Sequence, residues 1–258
     1  MIELTTLFSG SCGNSTLLKT DSTAILIDAG RNCKAVCEAL SKLGMSISDI
    51  SAIFVTHEHM DHISALDVMM RKKAIPIHVT EPSAAELCKK CSAAQCAVIH
   101  PELFFEVRVG DLTVSSFPLP HDSAAHVGYV VRSDDGDRAG VATDMGYVTQ
   151  MCFERLKGCR QAVIEANHDR KMLLSGPYPR HLKERILSRG GHLSNADTAE
   201  LCLGLCEHGT ERIMLAHLSF DNNTPDKARD AVYDRLTAEG LLDRVTLKVA
   251  YRDGPRTL

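Results

Sequence analysis

Thr56-His57-Glu58-His59-Met60-Asp61-His62 is the segment that decides the fold and the chemistry of this chain. It follows the continuous apolar run Ala52–Val55, which predicts a buried strand. Residues two apart on an extended backbone project to the same side, so His57 and His59 can bind one metal ion. A turn into the next helix would direct Asp61 and His62 to a second metal position close by. Imidazole with carboxylate suits zinc, iron or manganese, and such a metal fixes a reactive water.

Further ligands are expected at the ends of later strands, because four side chains do not complete two metal sites. Three ligand-type residues follow strand-like runs: His121, Asp144 and His217. A carboxylate at Asp144 could bridge two metals. These positions, where a strand gives way to a loop, are the ones that a site built on a sheet requires.

The rest of the sequence alternates between strand-like and helix-like segments. Apolar and β-branched runs predict strands at 2–8, 15–20, 23–28, 52–56, 75–80, 104–109, 112–117, 127–132, 138–143, 162–166, 213–217 and 245–250. Helices are predicted at 31–43, 62–72, 82–93, 196–206 and 224–239. Asp135-Gly136 predicts a tight hairpin, because glycine tolerates a positive φ. With no repeat and no low-complexity linker, residues 1–258 are expected to form a single domain.

Composition excludes several classes of protein. Hydrophobic residues make up 44% of the chain, and no stretch approaches the roughly 18 apolar residues of a membrane span. The N-terminus has neither a positive leader nor a long apolar region, so a soluble cytoplasmic protein with reduced cysteines is expected. The net charge of −4 gives no global attraction to nucleic acid. Any polyanion must therefore bind through a local patch or through the metals.

The pattern His-x-His-x-Asp-His, with His121, Asp144 and His217, resembles the metallo-β-lactamase superfamily over almost the whole chain. The resemblance implies an α/β fold, a four-layer αββα sandwich, with two divalent transition-metal ions at one edge: zinc or manganese, with iron as a further candidate. It assigns His57, His59 and His121 to the first metal. It assigns Asp61, His62 and His217 to the second, with Asp144 bridging and Asp61 also counted as catalytic. His126 competes with His121, but the family spacing favours His121, seven residues before Gly128.

Three shorter motifs are similar to those of the YycJ/WalJ-like group, which is related to the RNase Z and RNase J nucleases: Ser9–Ser15, Gly190–Asn195 and Ala216–Asn223. The resemblance implies a phosphodiesterase, specifically an exodeoxyribonuclease, with DNA as the partner and no membrane association. It also suggests that Ser194, Ser219 and Asn222 contact substrate oxygens. The loop around Gly10 and Gly13 could present amides to a phosphate or could simply be a turn.

Glu165 and His192 are a candidate catalytic pair. Glu165 ends the apolar run Ala162–Ile164, and His192 precedes a predicted helix. In enzymes that resemble RNase Z, such a pair lies near the leaving group. A carboxylate can orient an imidazolium that donates a proton to the departing 3′ oxygen. The alternative is a surface acid and a helix cap.

Residues 168–190 form a basic segment with a net charge of +4. Its cations are Arg170, Lys171, Arg180, Lys183, Arg185 and Arg189. Because the segment lies between Glu165 and His192, Lys183 and Arg185 are predicted to hold a phosphate backbone near the metals. The alternative is a solvated helix face.

Competing members of the superfamily fit less well. A secreted β-lactamase would carry an export signal. A thioesterase of the glyoxalase II type has a helical domain after the last ligand, whereas 41 residues follow His217 here. The 72 residues between Asp144 and His217 leave no room for a β-CASP insertion. RNase Z has a long glycine- and proline-rich arm that is not found here.

Three alternatives remain open outside the nuclease hypothesis. One is a hydrolase of small esters, thioesters or phosphodiesters, and another is a non-catalytic regulatory scaffold. The third is a structural zinc site at Cys88, Cys91 and Cys96 with His100, although buried helical thiols are favoured there. Cys202 and Cys206 are likewise interpreted as packing residues. The oligomeric state is left undetermined.

Overall fold

Two β-sheets face each other in the computed structural model, which describes residues 1–92 and 97–258. The strands, in chain order, are β1 (Glu3–Phe8), β2 (Ser15–Lys19), β3 (Ala24–Ile27), β4 (Ala52–Phe54), β5 (Ile77–Thr80), β6 (Val98–His100), β7 (Glu106–Val109), β8 (Leu112–Pro118), β9 (Val127–Ser133), β10 (Arg138–Ala142), β11 (Gln161–Glu165), β12 (Arg212–Ala216), β13 (Thr246–Val249) and β14 (Asp253–Thr257). Within the described residues each sheet has seven strands, in the orders β14-β1-β2-β3-β4-β5-β6 and β13-β12-β11-β10-β9-β8-β7.

The described part of the chain contains nine α-helices. They are α1 (Cys33–Lys42), α2 (Met60–Ile63), α3 (Leu66–Lys72), α4 (Glu81–Lys90), α5 (Gln150–Leu156), α6 (Arg170–Ser175), α7 (Arg180–Ile186), α8 (Asn195–Glu207) and α9 (Pro225–Ala238). Helices α1, α3 and α4 share one apolar cluster with the first sheet, and α5, α8 and α9 share another with the second. The predicted four-layer αββα sandwich is confirmed.

A third apolar cluster fills the space between the sheets. Successive residues of a strand point to opposite faces, so Leu26 of β3 packs toward the helices while Ile25 and Ile27 pack toward the other sheet. Buried Tyr129 of β9 crosses this layer and donates its hydroxyl to the carbonyl of Val55, at 2.7 Å. The two sheets are therefore joined directly beneath the histidine-rich segment.

An ion pair fixes the start of the chain at the opposite end of the sandwich. The Asp137 carboxylate accepts hydrogen bonds from Arg160 Nε at 2.7 Å and Arg160 Nη2 at 2.6 Å. The backbone amide of Ile2 donates to the same carboxylate at 2.8 Å. Asp137 thereby ties the chain before β1 to the beginnings of β10 and β11.

The structure departs from the sequence prediction in the bounds and number of several helices and strands. The helix predicted at 62–72 is two helices, α2 and α3, because the chain turns at Ser64 after presenting the motif side chains. Strands β6 and β14 and helices α5, α6 and α7 were not predicted, since the sequence periodicity of these short segments is weak. The hairpin between β9 and β10 is confirmed, with Gly136 at φ +87°.

Candidate ligands gather at one edge of the sandwich because the strands that carry them end there. In the second sheet β10, β11 and β12 are parallel neighbours, and they lead directly to the sites of Asp144, Glu165 and His217. The chain from Asp144 to His217 consists of α5, β11, α6, α7, α8 and β12, with no inserted domain. No helix in the described part of the chain is long and apolar enough to cross a membrane.

Candidate metal centre

The first candidate metal position is formed by three histidines. His57 and His59 follow β4, and their ring centroids are 4.5 Å apart. His121 follows β8, and its ring centroid lies 5.1 Å from that of His57 and 5.2 Å from that of His59. One ring nitrogen of each lies within 4.8 Å of the other two. Three neutral imidazoles at this spacing are a ligand set that suits zinc or manganese.

His126 lies near this cluster but is not one of the three ligands. Its Nε2 donates to the carbonyl of Thr143 at 2.7 Å, and burial lowers the pKa of His126 to about 3. His121 instead directs Nδ1 to the carbonyl of Gly191 at 3.3 Å, which leaves Nε2 for a metal. Although His126 Nδ1 also lacks a partner among the described residues, the ligand atoms that group within 4.8 Å are those of His57, His59 and His121, so His121 remains the predicted ligand.

The second candidate position brings together Asp61, His62 and His217, whose ligand atoms also lie within 4.8 Å of one another. His62 is oriented by Asp28, whose Oδ2 accepts from His62 Nδ1 at 2.8 Å. The same carboxylate accepts from the amide and hydroxyl of Thr56, at 2.8 and 2.9 Å. Asp28 therefore fixes the ring nitrogen that faces away from the metal position.

Asp144 lies between the two positions. It groups with His57 and His62 on one side and with His217 on the other. One of its oxygens lies within 4.8 Å of a ring nitrogen of His57, from the first position, and of His62, from the second. Its Oδ1 is also 3.3 Å from Nε2 of His217, from the second position. A carboxylate placed in this way can bridge two metal ions.

Backbone strain is concentrated at this edge. Among the described non-glycine residues, positive φ angles occur at Asp28 (62°), Asp144 (59°) and His217 (56°). Each follows the end of a strand. Asp144 and His217 direct their side chains into the candidate centre, and Asp28 directs its side chain to His62. Such conformations cost on the order of 1–3 kcal/mol each, and they persist where the surrounding structure enforces them, often at functional sites.

The electrostatics of the centre call for positive charge at the second position. Burial alone would lower the pKa of His62, but Asp61, Asp144 and Asp28 raise that pKa well above its usual value. Burial is likewise outweighed at His217, where Asp144, Asp61 and Glu165 raise the pKa to about 10. By contrast, burial and the neighbouring His62 hold the pKa of His57 well below its usual range.

The donor atoms fit a pair of divalent ions. His57 Nε2, Asp144 Oδ2 and His217 Nε2 are buried, and none has a hydrogen-bond partner among the described residues. Buried polar atoms are normally paired, so three unpaired ligand atoms facing one space fit the binding of a cation. Divalent ions there would also satisfy the acidic side chains.

Glu165 connects the candidate centre to His192. Its Oε1 accepts from His192 Nδ1 at 2.7 Å and from His217 Nδ1 at 3.0 Å. Its Oε2 accepts from the backbone amides of Met145 at 2.9 Å and Leu193 at 3.2 Å. Burial opposes ionisation, but His192 and these hydrogen bonds lower the pKa of Glu165 to about 2. Glu165 is thus a buried, ionised residue rather than a surface acid.

Sequence reasoning missed two buried carboxylates in this region. Glu58 points away from the ligands and accepts from the Ala124 amide at 2.9 Å and from Ser83 Oγ at 3.1 Å, which holds the loop that carries His121. Asp28 is the other. It ends an apolar strand, the same signal that identified Asp144, and could have been found from it.

The two cations predicted to hold phosphate already have partners in the protein. Lys183 Nζ donates to the carbonyls of Leu174 and Gly176 at 2.8 and 2.7 Å, where α6 ends. Arg185 forms a bidentate pair with Asp122, next to His121, at 2.5 and 3.1 Å. Lys183 thus has a structural role, whereas Arg185 borders the first metal position with its charge partly neutralised.

The three residues suggested to contact substrate oxygens also have structural partners. Ser194 is the N-cap of α8 and accepts from the amide of Asp197. Ser219 Oγ accepts from the amide and side chain of Asn222, both at 3.3 Å. Asn222 is fully buried, while Ser219 also lines an open pocket beside the centre.

Two further sequence hypotheses concern loops. The amide of Gly10 donates to Asn14 Oδ1 at 2.8 Å and that of Gly13 to the carbonyl of Gly10 at 2.9 Å, so the loop is organised as a turn. Of the proposed cysteine site, Cys96 lies outside the described residues. Cys202 is fully buried, in agreement with a packing role.

Comparisons with known proteins identify relatives along the full chain. A family model described as a beta-lactamase superfamily domain matches residues 23–218. The exodeoxyribonuclease YycJ of Bacillus anthracis is 36% identical over 247 residues, which cover 93% of this chain and 90% of that protein. The exodeoxyribonuclease WalJ of Streptococcus pneumoniae is 35% identical over 257 residues, covering 97% and 94%.

A solved structure supports the fold assignment. The metallo-β-lactamase fold protein YhfI from Bacillus subtilis superposes with a TM-score of 0.72 at 14% identity, covering 99% of this chain and 100% of that one. At this identity the likeness concerns the fold alone.

Proposed function

This chain belongs to the β-lactamase superfamily, and we propose that it is a two-metal phosphodiesterase that degrades DNA from an end. One observation carries the phosphodiesterase assignment. Buried, ionised Glu165 holds His192 within 3.8 Å of Asp144, so a proton donor stands beside the candidate bridging carboxylate. Protonation assists the departure of a 3′ alkoxide from a phosphodiester, and this pair can supply that proton.

We assign His57, His59 and His121 to the first metal, and Asp61, His62 and His217 to the second, with Asp144 between them. Zinc and manganese suit this mixture of imidazole and carboxylate, and iron is a further candidate. When bound, the ions would polarise the phosphoryl oxygens and make a water nucleophilic at neutral pH. Asp61 is the most exposed carboxylate of the three at the centre and is proposed to orient that water.

His192 is proposed to donate the proton to the departing oxygen. Its Nδ1 is engaged by Glu165, so Nε2 remains for the substrate. The side chain is 17% exposed, in contrast to the fully buried Glu165, and is therefore within reach of a bound strand. Glu165 fixes the ring plane through this hydrogen bond, which makes it a positioning residue.

The nature of the polymer rests on the relatives. Two proteins named as exodeoxyribonucleases align with this chain over nearly its whole length at 35–36% identity. We therefore propose DNA as the substrate and one domain, residues 1–258, as the unit that acts on it. Arg185, paired with Asp122 beside the first metal position, is the cation best placed to attract a phosphate.

The test is incubation of the metal-loaded protein with end-labelled single- and double-stranded DNA and RNA, and with a nitrophenyl phosphodiester. We expect the labelled DNA to be shortened progressively from one end, and a chelator to abolish the reaction. His57→Ala is the matched control for metal dependence. Hydrolysis of carboxylic esters or thioesters, with all phosphodiesters intact, would contradict the proposal and favour a small-molecule hydrolase.

A further inference from the structure

An open pocket of about 300 Å³ lies beside the candidate metal centre. Its walls include Leu218, Phe220, Pro225 and Ala250, with Arg252 at the rim. Small-molecule sites in proteins begin at about this volume and are mainly apolar with a few polar groups. The pocket therefore has the size and lining for a flat ring system rather than for a chain of phosphates.

Several residues of the pocket wall are neighbours of the candidate ligand His217. Leu218, Ser219 and Phe220 directly follow the candidate ligand His217. Ser9, another wall residue, accepts a hydrogen bond from the His217 amide to its Oγ at 2.7 Å. Since consecutive Cα atoms are about 3.8 Å apart, Phe220 lies within roughly 11 Å of His217. A group attached to a phosphate at the metals could reach the pocket.

Phe220 offers a stacking surface. Its side chain is 71% exposed, which leaves most of the ring available. The guanidinium carbon of Arg252 lies 4.5 Å from the ring centroid. Arg252 in turn donates to Cys12 Sγ at 2.8 Å, which anchors it to the loop that follows Ser9. Arg252 is therefore held in place beside the Phe220 ring.

The charge at the rim suits a phosphate-bearing ligand. Arg252 is not engaged by a carboxylate hydrogen bond in the described structure, although Asp221 and Asp253 lie near enough to act on it. Asp221 accepts from the Tyr178 hydroxyl at 2.9 Å, and Asp253 pairs with Arg31 at 2.7 Å. Both acids therefore have partners of their own, and Arg252 remains the charge nearest the ring.

We infer that this pocket binds a base of the nucleic-acid strand, stacked on Phe220, while the adjacent phosphate lies at the metals. The inference rests on the proposed function and extends it to a substrate class, a strand with an unpaired base next to the scissile bond. Aromatic stacking tolerates any base, because every base has a π-face. Arg252 contributes a contact to the ring and a positive charge toward the backbone.

The experiment compares two short single-stranded oligonucleotides, one intact and one with abasic residues at the two positions beside the scissile bond. KM is measured for wild type and Phe220→Ala in the metal-loaded protein. In the wild type, the intact strand should have the lower KM. Loss of one stacked base corresponds to roughly a 5- to 150-fold weakening, so Phe220→Ala should raise KM for the intact strand by that order. The ratio of the two KM values should then fall to about one.

Phe104→Ala is the matched control. Phe104 is also exposed (42%) and also lies under an arginine, Arg155, at 5.4 Å, but it does not line the pocket. The Phe104→Ala variant should retain the wild-type ratio of KM values for the intact and abasic strands. An unchanged ratio in Phe220→Ala, or an equal change in both control and test variants, would overturn the inference.

Binding of a fluorescent, hydrolysis-resistant phosphorothioate strand separates this inference from the proposed function. If base-dependent binding needs Phe220 but no phosphodiester is cleaved, the pocket assignment stands and the proposed activity fails. If DNA is cleaved with no preference for an intact base, the activity stands and the pocket assignment fails.

Discussion

Replacing Glu165 by glutamine tests the link between the metal centre and the proton donor. The substitution preserves size but removes the charge. In the structure one carboxylate oxygen accepts from two imidazoles and the other from two backbone amides. All four partners donate, so in either orientation the NH₂ group of glutamine faces two donors. With His192 and His217 both protonated at Nδ1, the variant therefore loses at least two hydrogen bonds.

The magnitude follows from this count. A hydrogen bond to a charged group contributes about 1.5–3 kcal/mol, so two correspond to about 3–6 kcal/mol shared between folding, metal binding and catalysis. Loss of a positioned proton donor lowers turnover by roughly 10²- to 10⁴-fold. Loss of an outer partner of a metal ligand weakens metal binding by roughly 10- to 100-fold. We expect a kcat reduction of at least about 10²-fold even when added metal restores full occupancy.

The assay measures kcat at saturating metal on an oligonucleotide and on a nitrophenyl phosphodiester, together with metal content. The nitrophenolate leaving group needs little protonation, so Glu165→Gln and His192→Ala should both lose less activity on that substrate. His192→Ala should retain its metals. Equal losses on the two substrates would refute proton donation and leave His192 with a positioning role.

Glu58→Gln is the matched control. Glu58 is a buried carboxylate between two candidate ligands, but it bonds to Ser83 and to the Ala124 amide rather than to a histidine. Glutamine can accept from the amide and donate to the hydroxyl. The ratio of kcat on the oligonucleotide to kcat on the nitrophenyl phosphodiester should therefore stay that of the wild type. Wild-type turnover in Glu165→Gln on the oligonucleotide would show the reasoning about its hydrogen bonds to be wrong.

Three further outcomes are expected. Asp144→Ala should reduce the binding of both metals in a titration, and two ions retained with native affinity would exclude a bridging role. Arg185→Glu should raise KM for oligonucleotides and flatten its salt dependence, with little effect on a small phosphodiester, because it places like charges beside Asp122 and removes the cation that pairs with Asp122, next to His121. Hydrogen bonds from Arg160 and Ile2 outweigh burial and lower the pKa of Asp137, so its stabilising effect should be complete above about pH 4 and lost as pH falls through the lowered pKa. In urea unfolding, the stability difference between wild type and Asp137→Asn should therefore shrink in acid, and a constant difference would contradict this.

The sequence by itself determined the elements whose signals are local. A strand of consecutive apolar residues, the alternation of His57 and His59, and ligand-type residues at strand ends depend on backbone geometry over a few residues. That geometry is the same wherever the segment lies in the fold. The hairpin at Gly136 is of the same kind, since the turn demands a residue that tolerates positive φ. The sandwich followed because these motifs resemble those of a known superfamily.

Only the tertiary structure decided which side chains are free to act. Lys183 and Arg185 belong to a basic run in the sequence, but their partners are carbonyls at the end of α6 and Asp122, which is 63 residues from Arg185. Asp28, which follows β3, reaches His62 of α2, 34 residues away. A side chain's charge and hydrogen-bonding capacity are satisfied by whatever the fold brings within about 3 Å, and sequence spacing does not encode that distance. The same holds for Phe220, an exposed aromatic residue in a loop. Its pocket is formed by residues at the end of β13 and the start of α9, which the sequence alone does not place beside it.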